Sequence, residues 1–162
     1  MKAEKLRELY QTTENVGDAA KGKKLTVAAC VAEILGEILM VVNFLVFTRG
    51  ISYHRHIPEA LELSLLVAAA AVIIVFDCVT ITGNRISRVL GAAVITATFF
   101  YNVMDFFLGL ALLGADDWVK NVPTFLSCTA VCLVKLLFVR NIFLQKDIRA
   151  YFFKVNKARY GL

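Results

Sequence analysis

The sequence predicts an all-α integral membrane protein: an up-down bundle of four transmembrane helices with amphipathic N- and C-terminal helical extensions. Three observations carry this. Four mostly apolar runs are each long enough to cross about 30 Å of hydrocarbon at about 1.5 Å per residue. Of the 162 residues, 59% are hydrophobic, against about 45–50% in a soluble domain. The basic residues crowd to one side of the runs. The runs lack the strict two-residue alternation of a membrane barrel. They are apolar on nearly every face, which a soluble amphipathic bundle is not.

The elements follow in order. Residues 1–24 form a polar tail. Within it, 2–14 is a helical candidate, with Ala3, Leu6, Leu9 and Tyr10 at helical spacing. Gly17 and Gly22 interrupt it, and Lys21, Lys23 and Lys24 mark the membrane edge. The membrane domain spans 25–144. Its first run is 25–48. The second is 61–82, with Pro58 at its approach. The third is 89–114. The fourth is 122–144, where Pro123 suits the first turn because the missing N–H has no helical partner there. Residues 145–162 form a basic tail. In it Leu144, Ile148, Tyr151, Phe152 and Val155 recur on one helical face. The spacing predicts a helix lying in the interface, its apolar stripe in lipid. No cleavable signal peptide is read in the polar first 24 residues, so the first run is expected to direct its own insertion.

Short loops make neighbouring runs antiparallel and adjacent. Lys and Arg then set the orientation. Lys2, Lys5, Arg7, Lys21, Lys23, Lys24, Arg85, Arg88, Arg140, Lys146, Arg149, Lys154, Lys157 and Arg159 all fall on one side. Only Arg49, Arg55 and Lys120 fall on the other, among Glu59, Glu62, Asp116 and Asp117. Both termini are therefore expected on the cytoplasmic, or equivalent positive, side of a multi-pass protein. Lys21, Lys23, Lys24, Arg85, Arg88, Arg140, Lys146, Arg149 and Lys154 are the expected contacts to anionic lipid headgroups.

Five ionisable side chains lie inside the runs: Glu33, Glu37, Asp77, Asp105 and Lys135. A charge at mid-membrane costs roughly 2.5–3.5 kcal/mol on insertion scales, so each needs a partner. Glu33 and Glu37 share a helical face four residues apart, about 13 and 20 Å beyond Lys24 by helical rise. Lys135 approaches from the opposite direction. Asp77 sits closer to the positive side. These four are expected to converge in the inner half of the bundle. Asp105, with Asn102 one turn before it, belongs to the outer half. Such groups work either as interhelix or intersubunit contacts or as an ion site.

Other candidates carry less. His54 and His56 lack further ligands, and neither a haem nor a metal is expected. Cys30, Cys78, Cys128 and Cys132 lie within apolar runs, away from loops, so no disulfide framework is implied. Cys128 and Cys132, with Ser127, Thr129 and Ala130, suit close helix packing, as do Gly36, Gly109 and Gly114. Phe99, Phe100, Tyr101, Phe106 and Phe107 give the third run an aromatic surface for lipid or a partner helix. No phosphate-cradling glycine loop, metalloprotease helix or nucleophile elbow is present. The chain is expected to be non-catalytic and without a cofactor. The leading expectation is an accessory or scaffold subunit of a larger membrane complex, or a homo-oligomeric tetraspan. Its partners would be lipids and other membrane subunits or itself, not nucleic acid. The competing expectation is a small cation or proton channel or transporter using the intramembrane carboxylates.

Overall fold

A computed structural model describes residues 17–48, 58–112 and 118–160, excepting the side chains of 47–48, 59, 105–106, 108–112 and 118–121. It is all-helical, with no strand among the described residues. α1 covers Ala19–Asn43 and ends in a π turn, Phe44–Thr48. α2 covers Glu59–Ile81, α3 Arg85–Leu112, α4 Trp118–Leu144 and α5 Lys146–Tyr160. α1 to α4 are each long and apolar enough to cross a membrane. The N-terminal helical candidate 2–14 and the His54/His56 pair lie outside the described residues.

Capping residues, not hydropathy, set the helix starts. α1 begins ahead of its apolar run because the Asp18 carboxylate accepts from the Ala20 and Lys21 N–H groups, at 2.8 and 3.2 Å. α3 begins at Arg85, not Val89, because Asn84 Oδ1 accepts from the Ile86 and Ser87 N–H groups. The preceding Gly83, at φ +82°, closes α2 in the left-handed conformation that glycine tolerates. Arg85 and Arg88 are therefore helical residues rather than loop residues. α4 starts at Trp118, which puts Pro123 inside the helix instead of in its first turn. The apolar run hid that polar first turn.

α1 packs against α2 and α4, α2 against α3, and α3 against α4. At least 72% of each apolar stretch stays unburied, so the outside of the bundle is largely apolar. Leu35, Val46, Val75, Phe100 and Leu126 are all 60% exposed or more. Water would oppose that surface and lipid would not.

The core lies toward one end, and α5 closes that end. Cys30, Ile73, Ala92, Ile95, Phe138 and Ile142 from the four long helices pack with Ile148, Tyr151 and Phe152 of α5. This corrects the expected interfacial stripe. The faces of Ile148, Tyr151 and Phe152 are buried against the bundle, not laid in lipid, while Leu144 points outward. Burying a large side chain gives about 1.5–3 kcal/mol, and here protein supplies that burial.

Polar contacts fix α5 in place. Tyr151 Oη donates to the Ile81 carbonyl at 2.6 Å, and Asn156 Nδ2 donates to the Gly83 carbonyl at 3.3 Å. Asp147 accepts from the Asp18 N–H at 3.0 Å and pairs with Lys21 at 3.5 Å. The start of α1, the α2–α3 turn and the end of α4 thus meet at α5. Gly22 permits this, because a Cβ built there collides with the Asp147 carbonyl. Gly36, a packing candidate from sequence, is different: a Cβ there would meet Val134 at an ordinary 3.8 Å.

Gly22→Ala is expected to lower the unfolding free energy by about 1–3 kcal/mol, through forced separation of α1 and α5. Denaturation in detergent measures it, and an unchanged midpoint would contradict the packing. A second expectation concerns pH. The Asp18 N–H, and then Lys21, hold the Asp147 carboxyl below its usual range. A depressed folded-state value contributes stability above the ordinary aspartate pKa of about 3.9, lost as pH falls through the lower folded value. The wild type should therefore unfold at higher temperature than Asp147→Asn near neutrality. That gap should close in acid below about pH 4. A gap independent of pH would count against this anchor.

Candidate functional site

The site is built on Lys135, near the middle of α4 and 1% exposed. Helical spacing places Glu33 and Glu37 one turn apart on the face of α1 that meets α4. Lys135 Nζ donates to Glu33 Oε1 at 3.2 Å and makes a short contact to Glu37 Oε1. Its third bond goes to Thr98 Oγ1 of α3, at 3.1 Å. An ammonium has three donors, and here all three are used. One side chain therefore ties α1, α3 and α4 together inside the bundle.

Asp77 of α2 completes the group. It is 1% exposed, and Glu33, Glu37 and Lys135 are the charged groups that act on it. Among the described residues, neither of its carboxylate oxygens has a hydrogen-bond partner, nor does Glu33 Oε2. Buried polar atoms are nearly always satisfied, and each exception calls for a reason. Three carboxylates face one ammonium. With every acid ionised the cluster would fall two positive charges short, and burial makes such an excess costly. Protons or a small cation can restore the balance. Among the described residues no group of three His, Cys, Asp or Glu is arranged to hold a metal ion.

The structure brings Glu33, Glu37 and Lys135 into contact and sets Asp77 within electrostatic reach of them. Asp105 lies on α3, and its side chain is outside those described. Asn102 is buried, and its carbonyl faces the Cys128 thiol at 3.9 Å. Thr98 escaped sequence reasoning, since an uncharged threonine between Ala97 and Phe99 gives no sign of touching an ammonium. Cys30, Cys78, Cys128 and Cys132 form no disulfide.

The basic residues form a different group. Lys21, Lys23, Lys24, Arg85, Arg140, Lys146, Arg149 and Lys154 are exposed. Arg88 is the exception, being half-buried, with its guanidinium over the Phe152 and Phe143 rings at 4.6 and 5.4 Å. Comparison with protein-family models, with curated proteins and with solved structures found no match.

Lys135→Met is expected to destabilise the protein by about 3–5 kcal/mol, because it leaves Glu33 and Glu37 buried without a counter-charge. Adding Glu33→Gln and Glu37→Gln should recover a large part of that loss. Denaturant titration in mild detergent checks both. A Lys135→Met variant as stable as the wild type would show that the ammonium is not what matches these acids.

Proposed function

We propose that this chain is a non-catalytic, multi-pass membrane protein that binds a proton or a small cation at the Asp77–Glu33 side of the Lys135 cluster and carries it across the bundle. The observation behind the reading is the Asp77 carboxylate, sealed within the chain with both oxygens unpartnered. A partner helix does not reach an interior position of this kind, whereas a proton or small ion does. Glu33, Glu37 and Lys135 are already matched within one chain, which argues against their serving as contacts between subunits. A site closed to soluble substrates also suits binding better than catalysis.

The architecture proposed with it is an up-down four-helix bundle in the membrane. The start of α1, the α2–α3 turn and the end of α4 gather at α5, as alternating helix directions require. The same end carries the exposed Lys and Arg, which favours a cytoplasmic or equivalent positive side facing anionic headgroups.

One observation favours a second reading, an accessory or self-associating subunit. Phe100, Tyr101, Met104 and Phe107 on α3 are each more than half exposed. A helix of another chain would cover such an aromatic face as well as lipid does.

Vesicles reconstituted with the purified protein and loaded with a pH-sensitive dye test the transport reading. A proton gradient, or a sodium gradient followed with a sodium-sensitive dye instead, should relax faster than in protein-free vesicles. Asp77→Asn and Glu33→Gln should each abolish the excess. Relaxation no faster than in empty vesicles, together with migration as a mixed assembly in mild detergent, would replace this reading with the subunit one. For topology, cysteines introduced by Asp116→Cys and Ala158→Cys should react with an impermeant thiol reagent from opposite sides of a sealed vesicle. Labelling from one side would refute the proposed orientation.

A further inference from the structure

We infer that Arg85, Arg88 and Arg149 form a binding site for a phosphomonoester anion where α3 meets α5. The three come from the first turn of α3 and the first turn of α5, at the end of the bundle rich in Lys and Arg. The charges of Arg85 and Arg149 are the ones that bear on Arg88. None of the three forms an ion pair or a hydrogen bond to a side chain among the described residues. Asp147, one turn before Tyr151 on α5, is already engaged by Asp18 and Lys21. Among the described residues, like charges are gathered with nothing opposite to them.

Arg88 shows most clearly that something is missing. Its guanidinium lies against Phe152 and Phe143, a placement that holds the planar fork in one orientation. Its Nε–H is buried, with no acceptor among the described residues. A donor fixed in this way, flanked by two exposed guanidiniums, presents the planar pattern that phosphate oxygens match. A phosphomonoester brings about −1.5 to −2 charges and three strong acceptor oxygens, enough to answer three arginines. A phosphodiester headgroup brings a single charge and answers fewer of them. The chemistry required is thus a terminal phosphate, whether on a lipid headgroup or free in solution. Because Arg88 rests on Phe152 and Arg149 belongs to α5, an occupant would also fasten α5 to α3. This site is separate from the Lys135 cluster and does not depend on the proposed transport.

The test uses the intact protein in phosphatidylcholine nanodiscs containing either phosphatidylinositol or phosphatidylinositol 4-phosphate, with lipid retention read by native mass spectrometry. A third sample contains phosphatidylcholine alone with added inorganic phosphate, read by thermal unfolding. The phosphorylated lipid should be retained at least about tenfold more than phosphatidylinositol, the ratio one charge-assisted hydrogen bond is worth. Arg88→Lys, which keeps the charge and loses the fork, should remove most of that preference. Arg85→Gln with Arg149→Gln, at exposed positions that leave the core intact, should do the same without changing the unfolding midpoint in phosphatidylcholine. Stabilisation by inorganic phosphate, without lipid preference, would identify a soluble phosphate as the ligand and still support the site. Equal retention of both inositol lipids with no effect of inorganic phosphate would overturn it. So would a preference that survives the Arg85→Gln, Arg149→Gln double variant.

Discussion

The architecture depends on one buried ammonium meeting two carboxylates. Lys135 is enclosed by the bundle, and its three donors reach Glu33, Glu37 and Thr98. The surrounding helices are apolar over most of their outer faces, where dispersion and shape set their mutual rotation only loosely. An ion pair inside a low-dielectric interior is directional and strongly penalised when broken. It therefore acts as a register mark for α1, α3 and α4. The same interaction leaves Asp77 and one oxygen of Glu33 without a hydrogen-bond partner among the described residues, and the proposed ion binding rests on those atoms.

α5 gives this open bundle an end. Four apolar helices with exposed apolar sides have no intrinsic stop along their length. Ile148, Tyr151 and Phe152 close the core, while Asp147 and Asn156 tie that closure to the starts and ends of the long helices. The absence of a side chain at Gly22 lets the backbones of α1 and α5 approach closely. Closure and charge meet at Arg88, whose guanidinium rests on an aromatic ring of the closing helix. The apolar core, the α5 anchor and the basic rim are thus parts of one packed end.

Much of this was legible in the sequence because hydropathy and charge act at long range along a chain. The four long helices follow from run length. The contact of Lys135 with Glu33 and Glu37 lies where counting helical rise along two runs read in opposite directions would place it. Helix starts were misplaced where polar caps, Asp18 and Asn84, precede the apolar run and carry no hydropathy. Pro123 was misplaced for the related reason that the polar first turn of α4 resembles a loop. The α5 stripe was correctly periodic but assigned to lipid, since periodicity reports an apolar face and not what covers it. Thr98 and the Arg88–Phe152 contact depend on three-dimensional neighbours with no one-dimensional signature.

The coupling between Lys135 and Glu37 tests the central claim most directly. Unfolding free energies of the wild type, Lys135→Met, Glu37→Gln and the double variant form a closed cycle. A direct buried contact predicts that the double variant loses less than the two single losses together, with an interaction of about 1–3 kcal/mol. Losses that add to within about 0.5 kcal/mol would mean that the two residues do not meet, and the bundle would need another basis for its register.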